Sequence, residues 1–272
     1  MPELPEVEVT RLGLRDVLRG RRIVGLRQGK PLRWPLGCAP DALVGLCIDD
    51  VARRGKYLLL RLDQGDLIVH LGMSGSLRWV VGEAPPPGAH DHFTLRLEGG
   101  ELRLRDPRRF GAVLWHSSGA DAPPHALLAH LGPEPLDPGF DGSALRRALR
   151  GRRAAVKPLL LDQRVVAGVG NIYACEALHR AGIDPCRAGG DVSPARCDRL
   201  AGALRETLAE AVAAGGSTLR DFAHADGTHG CFQHAARVYG RAGLPCPRCG
   251  ALVRQITQAQ RSTYYCPRCQ RR

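Results

Sequence analysis

The chain has 272 residues, a formal net charge of +12 and a pI near 9.7. That length allows one large domain or two ordinary ones, each able to bury its own core, and we expect two. The positive charge favours nucleic acid as a partner, ahead of an anionic membrane, and disfavours a neutral metabolite. No apolar run approaches the roughly 20 residues of a spanning helix, and the acidic start MPELPEVEV is unlike a secretory signal. The sequence therefore predicts a soluble, cytoplasmic protein.

The first predicted element is an amphipathic helix through PEVEVTRLGLRDVLRG. Pro5 suits its first turn, and Val7, Leu14 and Leu18 recur at helical spacing. After this helix the pattern changes to short apolar alternations such as KYLLLRL, DLIVHLGM and HFTLRL, separated by QGD and EGG turns. This pattern predicts an antiparallel sheet pair, packed as a β-sandwich, in an N-terminal domain of residues 1–116.

The second half of the chain changes in character. Residues 117–142 are rich in Pro, Gly and Asp, carry no strong period and are predicted to be an interdomain linker. Helical patterns return in SALRRALRGRRAAV, KPLLLDQ, NIYACEALHRAG and SPARCDRLAGALRETLAEAVAAGG, the last with Ser193 and Pro194 as cap and first-turn residue. They predict an all-helical domain of residues 143–241 and a cysteine module at 242–272. The predicted fold class is α+β: a helix with an antiparallel β-sandwich, then a helical domain that ends in a small hairpin.

The strongest isolated motif is Cys246-Pro-Arg-Cys249, followed after sixteen residues by Cys266-Pro-Arg-Cys269. This spacing is typical of a tetrahedral four-thiolate zinc site. Because protein fills all four positions, we predict one structural zinc ion that stabilises a hairpin too small to fold alone. The other cysteines are scattered singly, which suits a reducing compartment. Arg261 lies near the predicted end of the hairpin, where it is either solvated or in contact with a phosphate.

Two more segments suit DNA, and each has a plainer explanation. In GVGNIY the glycines precede a helix whose free N–H groups could hold a phosphate beside Asn171, or they could simply allow close packing. The cations Arg152 and Lys157 favour the phosphate. HLGMSG and DPRRFG place Met73 and Phe110 in turns. These side chains could be core residues, or an apolar wedge that fills the gap when a nucleotide leaves a duplex.

The N-terminal residues suggest covalent catalysis. Pro2 directly follows Met1, and trimming of that methionine would leave a secondary amine with a pKa of roughly 8, so that a useful fraction would be an uncharged nucleophile. Attack on a sugar C1′ would form an iminium Schiff base. Glu3 adjoins this amine and Glu6 lies one turn further on, so one carboxylate could pass protons. The same letters are equally compatible with a helix start capped by acidic residues.

The segments MPELPEVE, RRGKYLLL, HLGMSGSLR, DPRRFG, LGPEPL, KPLLLDQ, GVGNIYACEAL, VYGRAG and CPRC…QRSTYYCPRC occur in order from residue 2 to the C-terminus. In this series the chain resembles the formamidopyrimidine-DNA glycosylases, bacterial bifunctional enzymes that remove 8-oxoguanine and ring-opened purines. The resemblance implies base-excision repair by a monomeric glycosylase and AP lyase, acting on double-stranded DNA that contains oxidised purines or abasic sites. It also implies a helix-two-turn-helix motif joined at GVGN and a zinc-finger β-hairpin.

The resemblance further implies residue roles. Pro2 would be the Schiff-base nucleophile, Glu3 the acid/base and Glu6 a supporting carboxylate. Lys56 would donate a proton and contact phosphate for β-elimination, and Arg261 would serve δ-elimination and bind phosphate. The positions that would approach DNA are His90, Arg108, Arg152, Lys157 and Asn171, and those that would fill the void are Met73, Arg108 and Phe110.

Two alternatives stay open on the sequence. A sister activity on oxidised pyrimidines uses the same N-terminal proline and zinc finger, but MPELPE, with no glycine after Glu3, and the complete DPRRFG segment favour the purine enzyme. A catalytically silent DNA-binding protein would lack the chemistry, whereas Pro2, Glu3, Glu6 and Lys56 are all present. Cys231, in GCFQ, departs from the family pattern, which has an aromatic residue beside the loop that covers the flipped base.

Overall fold

The computed structural model describes residues 1–117, 125–217 and 236–271. The chain divides into two compact units: unit 1 lies within residues 1–129 and 214–231, and unit 2 lies within residues 130–213 and 232–272. In the described part of the chain, no helix combines the length and the apolar character needed to cross a membrane.

Unit 1 begins with helix α1 at Leu4–Leu18, where the sequence predicts it. Eight strands follow: β1 Ile23–Gln28, β2 Ile48–Arg54, β3 Tyr57–Leu62, β4 Gly65–His70, β5 Ser76–Val81, β6 Asp91–Leu97, β7 Gly100–Arg105 and β8 Ala112–Ser117. A single 3-10 turn, Pro40–Leu43, separates β1 from β2. The four-residue helix α2, Ala126–Ala129, comes after the last strand.

The strands of unit 1 form two antiparallel four-stranded sheets, ordered β1-β6-β7-β5 and β2-β3-β4-β8. Leu58, Leu60, Leu67 and Val69 of β3 and β4 join Leu14 of α1 in one buried apolar cluster. Removing such side chains from water contributes about 25 cal/mol per Å² of apolar area, which makes this cluster the main stabilising part of the unit. The helix and the sheet pair confirm the first half of the predicted fold class.

Unit 2 is helical up to a C-terminal hairpin. Its helices are α3 Gly142–Leu149, α4 Val156–Leu161, α5 Asn171–Ala181 and α6 Pro194–Ala213. The hairpin pairs β9, Arg254–Gln258, with β10, Arg261–Tyr265, in antiparallel register. This order confirms the second half of the predicted fold class.

The helix ends of unit 2 follow from local backbone chemistry. The sequence pattern SALRRALRGRRAAV predicts one helical segment. In the structure, α3 ends at Leu149 and α4 begins at Val156. Gly151, between them, has a φ of 70°, which lies outside the helical region and which glycine adopts at little cost. Gly182 ends α5 in the left-handed conformation in the same way.

Some expected features lie outside the described residues. The expected linker of residues 117–142 includes residues 118–124, and the described part that follows contains α2. The loop expected to cover a flipped base, residues 217–230, is described only at Ser217. Cys231, the departure from the family pattern, also lies outside the described residues.

Candidate functional site

The N-terminal segment of unit 1 is buried. Pro2 is buried and lies two residues before the start of α1, and Glu3 and Glu6 are 3% and 2% exposed. Glu6 accepts the backbone N–H of Glu3 at 2.8 Å, as one half of a capping box at the helix start. The other carboxylate oxygen of Glu6 accepts the backbone N–H of Ser217 at 2.7 Å. Acidic capping, the plainer interpretation of the sequence, is therefore present, and Glu6 also holds the returning chain.

The turn between β2 and β3 carries Lys56, which is 8% exposed. Gly55 and Lys56 form a two-residue hairpin turn, and Gly55 has the positive φ of 56° that such turns favour at their first position. Next to the turn, Arg53 donates from Nε to Glu8 of α1 at 2.8 Å and from Nη1 to the Gly55 carbonyl at 3.1 Å. This bridge attaches the Lys56 turn to the helix that begins beside Glu3.

The bridge depends on the charge of Glu8. Arg11, on the same helix, donates to Glu8 at 2.7 Å, and Arg53 donates to its other oxygen at 2.8 Å. Burial raises the pKa of Glu8, but the hydrogen bonds and charges of Arg11 and Arg53 outweigh burial and bring the pKa below its ordinary value. Glu8 is consequently a permanent anion at neutral pH and a fixed anchor for Arg53.

Two adjoining turns of unit 1 present the predicted wedge residues. Met73 and Phe110 are 37% and 45% exposed, so neither is a core residue. The guanidinium of Arg108 lies 5.3 Å from the centre of the Phe110 ring. A Cβ added to Gly72 would lie 2.4 Å from the backbone nitrogen of Gly111, so the two turns touch backbone to backbone. The structure thus brings the three predicted wedge residues together.

Two of the predicted DNA contacts are exposed side chains. His90 precedes β6, and its carbonyl accepts the backbone N–H of Asp106 at 2.9 Å. Arg152, in unit 2, lies in the connection between α3 and α4. Both side chains are accessible from the solvent.

Lys157, which is also predicted to approach DNA, is 0% exposed. Its ammonium donates to Oδ1 of Asn171 and, at 3.4 Å, to the carbonyl of Ser262. Asn171 donates from Nδ2 to the same carbonyl at 2.9 Å. A buried ammonium requires such acceptors to offset the loss of water. In this arrangement Lys157 joins α4 and α5 to the hairpin that carries Arg261.

Arg261 is exposed at the start of β10, at the end of the hairpin where the sequence places it. The turn before it consists of Ala259 and Gln260, whose φ values are 47° and 61°. Two-residue turns with a positive φ at both positions favour Asn-Gly, and other residues with side chains adopt this conformation only at a cost in free energy. The hairpin therefore holds a strained turn directly beside its exposed arginine.

The four predicted zinc ligands converge in unit 2. The Sγ atoms of Cys246, Cys249, Cys266 and Cys269 lie within 4.8 Å of one another. The Cys249–Cys266 distance is 3.4 Å, and the Cys246–Cys269 distance is 3.9 Å. A tetrahedron with Zn–S bonds of about 2.3 Å has edges of about 3.8 Å, so the cluster fits one zinc ion and leaves no open coordination position. A ring nitrogen of His179, on α5, lies 3.4 Å from the Cys246 sulfur.

The sequence analysis missed three acidic residues. They hold the Lys56 turn, the two wedge turns and the segment before the zinc finger in place. Glu8 anchors Arg53, and Asp106 is fully buried at the start of the second wedge turn. Glu176, on α5, accepts three consecutive backbone N–H groups at 2.8 to 2.9 Å, those of Arg237, Val238 and Tyr239. The available signal was an acidic residue at an apolar position, as in ACEAL, or alone beside arginines and glycine, as in DPRRFG.

Comparison with known proteins places the chain among DNA repair families. Residues 1–113 match the family model of the formamidopyrimidine-DNA glycosylase N-terminal domain, and residues 131–223 match that of the formamidopyrimidine-DNA glycosylase H2TH domain. Residues 243–272 match the zinc finger found in FPG and IleRS. The matches cover both units and include all four cysteines of the zinc cluster.

Individual relatives match over their whole length. The chain is 57% identical to the formamidopyrimidine-DNA glycosylase of Alkalilimnicola ehrlichii over 280 residues and 56% identical to that of Acidovorax sp. strain JS42 over 271 residues, with 100% of each chain covered. The crystal structure of MutM (Fpg) from Thermus thermophilus is 44% identical, with a TM-score of 0.88 over 99% of this chain and 98% of that chain. A Lactococcus lactis Fpg mutant in complex with a Fapy-dG containing DNA is 36% identical, with a TM-score of 0.91 over 100% of both chains.

A β-sandwich, a helix-two-turn-helix domain and a four-cysteine zinc finger in one basic chain define a zinc-finger protein of the DNA glycosylase class. The chain belongs to the formamidopyrimidine-DNA glycosylase family. This confirms the resemblance drawn from the sequence motifs. The zinc-finger match and the sulfur geometry also confirm one structural zinc ion as the cofactor.

Proposed function

We propose that the chain is a base-excision repair enzyme, a DNA glycosylase that removes oxidised purines from double-stranded DNA and an AP lyase that then cleaves the strand. The observation that carries this function is the full-length match to formamidopyrimidine-DNA glycosylases. Similar solved structures include complexes with DNA that contains Fapy-dG, an abasic site or carbocyclic 8-oxo-G, which supports the same substrates here. Family membership also supports a monomeric enzyme of the bacterial cytoplasm.

The covalent step is assigned to Pro2. Once Met1 is removed, Pro2 has a secondary amine that attacks C1′ of the damaged nucleotide, and the C1′–base bond breaks with its electron pair on the leaving base. Opening of the C1′–O4′ bond then gives an iminium, while the amine proton must leave and O4′ must gain one. Glu3, the buried neighbour of Pro2, is the carboxyl group assigned to these transfers.

Strand cleavage follows from the iminium. The iminium acidifies the C2′ proton, and loss of that proton expels the 3′ phosphate by β-elimination. A second elimination expels the 5′ phosphate. We assign Lys56, in the turn that Arg53 and Glu8 attach to α1, to proton donation and phosphate contact in the first elimination. Arg261, exposed beside the strained hairpin turn, is assigned to the second elimination and to phosphate binding.

The DNA contacts are assigned to both units. His90 and Arg108 in unit 1 and Arg152 and Asn171 in unit 2 would bind phosphates, and Met73, Arg108 and Phe110 would fill the stack. The burial of Lys157 supports an indirect role, in which its ammonium orients Asn171 and the carbonyl of Ser262. Glu6 supports the site by fixing the start of α1.

The decisive test traps the iminium with borohydride. Wild-type protein is incubated with a duplex that contains 8-oxoguanine, reduced, digested and analysed by mass spectrometry. The expected crosslink is at the N-terminal Pro2, and acetylation of that amine or retention of Met1 should abolish it. Lys56→Ala should retain the crosslink, with Lys30→Ala as the matched control because Lys30 is an exposed lysine without an assigned role.

Two outcomes contradict the proposal. Sugar attached to Lys56 or another lysine, with Pro2 unmodified, would identify a different nucleophile. Absence of any crosslink and of any cleavage, with tight binding to the lesion duplex, would identify a silent DNA-binding protein. A parallel duplex with an oxidised pyrimidine measures substrate class, and faster excision there than from the 8-oxoguanine duplex would assign the sister activity.

A further inference from the structure

The wedge residues of unit 1 stand on two turns, residues 71–75 and 106–111, which we call the wedge platform. Asp106, within it, is 0% exposed. Its Oδ1 accepts the hydroxyl of Ser74 at 2.9 Å and the backbone N–H of Arg108 at 3.3 Å, and its Oδ2 accepts the backbone N–H of Gly111 at 2.7 Å. A single carboxylate therefore joins the first turn of the platform to the second.

The backbone around Asp106 is packed without spare room. A Cβ on Gly111 would lie 2.9 Å from Oδ2 of Asp106 and 3.0 Å from the carbonyl of His70. In the first turn, the N–H of Gly72 donates to Nδ1 of His70 at 3.0 Å. In the second turn, Arg109 has a φ of 56°, a conformation that a residue with a side chain keeps only when its surroundings impose it. The platform is thus a closely fitted unit with the carboxylate at its centre.

In contrast to this closely fitted backbone, the exposed part of the platform consists of large side chains. Met73 and Phe110 extend from it as large apolar side chains, and Arg108 lies beside the Phe110 ring. Separating stacked bases costs a few kcal/mol per step, and a side chain can offset that cost only if its backbone does not yield when it is inserted. Each of these side chains has rotatable bonds, so the resistance has to come from the turns.

We propose that Asp106 is a positioning residue for eversion of the damaged nucleotide. It holds Met73, Arg108 and Phe110 in the arrangement that fills the vacated stack, and as a fully buried group it does not itself touch DNA. This inference rests on the proposed function, because it requires that the enzyme extrude a nucleotide. In this role Asp106 acts before base excision and strand cleavage, through the two turns that it joins.

Asp106→Asn tests the hydrogen bonds with almost no change in volume. A carboxamide offers one acceptor oxygen and one NH₂ donor group. The backbone N–H groups of Arg108 and Gly111 both require an acceptor, whereas the Ser74 hydroxyl can either donate or accept. Whichever way the amide is oriented, the backbone N–H of Gly111 or of Arg108 faces the NH₂ group. A buried donor without an acceptor destabilises the platform, so we expect the variant to hold the wedge less firmly.

Eversion is measured with 2-aminopurine placed beside the 8-oxoguanine. The fluorescence of 2-aminopurine rises when its stacking is lost. For Asp106→Asn we expect a smaller fluorescence rise and single-turnover excision about 10- to 100-fold slower than wild type. Cleavage of a preformed abasic site, which has no base to extrude, should change far less, and its borohydride crosslink should persist. A merely structural role would instead lower both activities in parallel with thermal stability.

Two variants complete the test. Ser74→Ala removes only the bond between the turns and should shift eversion in the same direction by a smaller factor; if Asp106→Asn does not fold, Ser74→Ala decides alone. Asp141→Asn, which changes the carboxylate that caps α3 through Ala144 at 2.7 Å, is the matched control and should leave eversion unchanged. Wild-type eversion in both Asp106→Asn and Ser74→Ala, or equal losses on lesion and abasic DNA, would overturn the inference. Failure of the wild-type crosslink would overturn the proposed function instead.

Discussion

Glu3 and Glu6 lie one helical turn apart and are both buried, but the structure gives them different surroundings. Glu6 accepts backbone N–H groups with both oxygens, from Glu3 at 2.8 Å and from Ser217 at 2.7 Å. A carboxylate with both oxygens engaged in this way has a structural role. The Glu3 side chain accepts the backbone N–H of Glu6 in the same capping box, and Glu3 is the carboxyl group that we propose for proton transfer.

Glu3→Gln should therefore nearly stop base excision. Loss of a proton-transfer group typically slows a reaction by about two to four orders of magnitude, roughly 3 to 5 kcal/mol of barrier. An abasic site skips base removal, so the variant should still cleave abasic DNA measurably. Single-turnover rates on both substrates test this, with Glu98→Gln as a control at an exposed position. Excision at the wild-type rate would remove Glu3 from the mechanism.

His70 connects the chemistry of one residue to the stability of unit 1. Its ring packs against that of Tyr57 at a tilt of 52°, with ring centres 4.9 Å apart, and its Nδ1 accepts the N–H of Gly72. Burial, and then the charges of Lys56 and Arg33, lower the pKa of His70 to about 4, against a smaller opposing effect of Asp106. The folded protein therefore holds a neutral imidazole under the turn that carries Met73.

The lowered pKa predicts acid sensitivity of the fold. Between pH 6.5 and 4 the unfolded chain binds a proton at this histidine and the folded chain does not, so the free energy of unfolding should fall as the pH falls through this window. The largest loss from this site is about 3 kcal/mol. Denaturant unfolding at several pH values measures it. His70→Gln should flatten the dependence, whereas His90→Gln, at an exposed position, should not; equal slopes for wild type and His70→Gln would contradict it.

Lys157 shows where residue-level prediction stops. The sequence assigned it to a position that approaches DNA, and nothing local shows that its ammonium is buried against Asn171 and Ser262. These partners come from α5 and β10, so the environment of Lys157 depends on tertiary packing. The four cysteines were predictable because their spacing alone determines a zinc site. For Met73 and Phe110 the sequence left two explanations open, core residues or an apolar wedge, and it could not decide between them.

At the level of elements, the zinc-finger hairpin is the part least able to stand alone. β9 and β10 are five residues each, and the apolar cluster around them consists largely of the cysteines themselves with Val238 and Val253. Isolated hairpins are marginally stable in water, so the four thiolates supply the missing stabilisation through the metal. The sequence predicted this element and α1 well, because both rest on local patterns, but it did not place the break at Gly151.

Removal of the zinc should abolish DNA binding and leave most of the fold intact. The strands of unit 1 have their own apolar core and need no metal. Metal analysis should find one zinc per chain, and a chelated sample should lose affinity for duplex DNA while it keeps its β-sheet circular dichroism. Cys38→Ser, which changes a cysteine outside the cluster, is the control and should retain metal and binding. Full affinity in a zinc-free sample would contradict this role.

At the scale of the whole molecule, the excess of positive charge lies mainly in unit 2, which has 20 basic and 10 acidic residues, whereas unit 1 has 19 basic and 17 acidic residues. The assigned contacts His90 and Arg108 lie in unit 1, and Arg152 and Arg261 lie in unit 2. Sequence patterns could assign residues to each unit but could not show that the chain returns to unit 1 at Ser217, which the carboxylate of Glu6 binds. That contact joins positions 211 residues apart and has no local signature.

DNA affinity should fall steeply with salt, because phosphate contacts by arginine release condensed counterions. Arg261→Ala and Arg152→Ala should each flatten the slope of log K against log salt by about one unit, since both side chains are exposed. Lys157→Ala should weaken binding with little change in slope, because its ammonium is engaged within unit 2. Binding to a duplex at four or more salt concentrations measures these slopes, with Arg199→Ala on α6 as an exposed control. A loss of one unit for Lys157→Ala would show that its ammonium reaches a phosphate after all, and an unchanged slope for Arg261→Ala would place that arginine outside the interface.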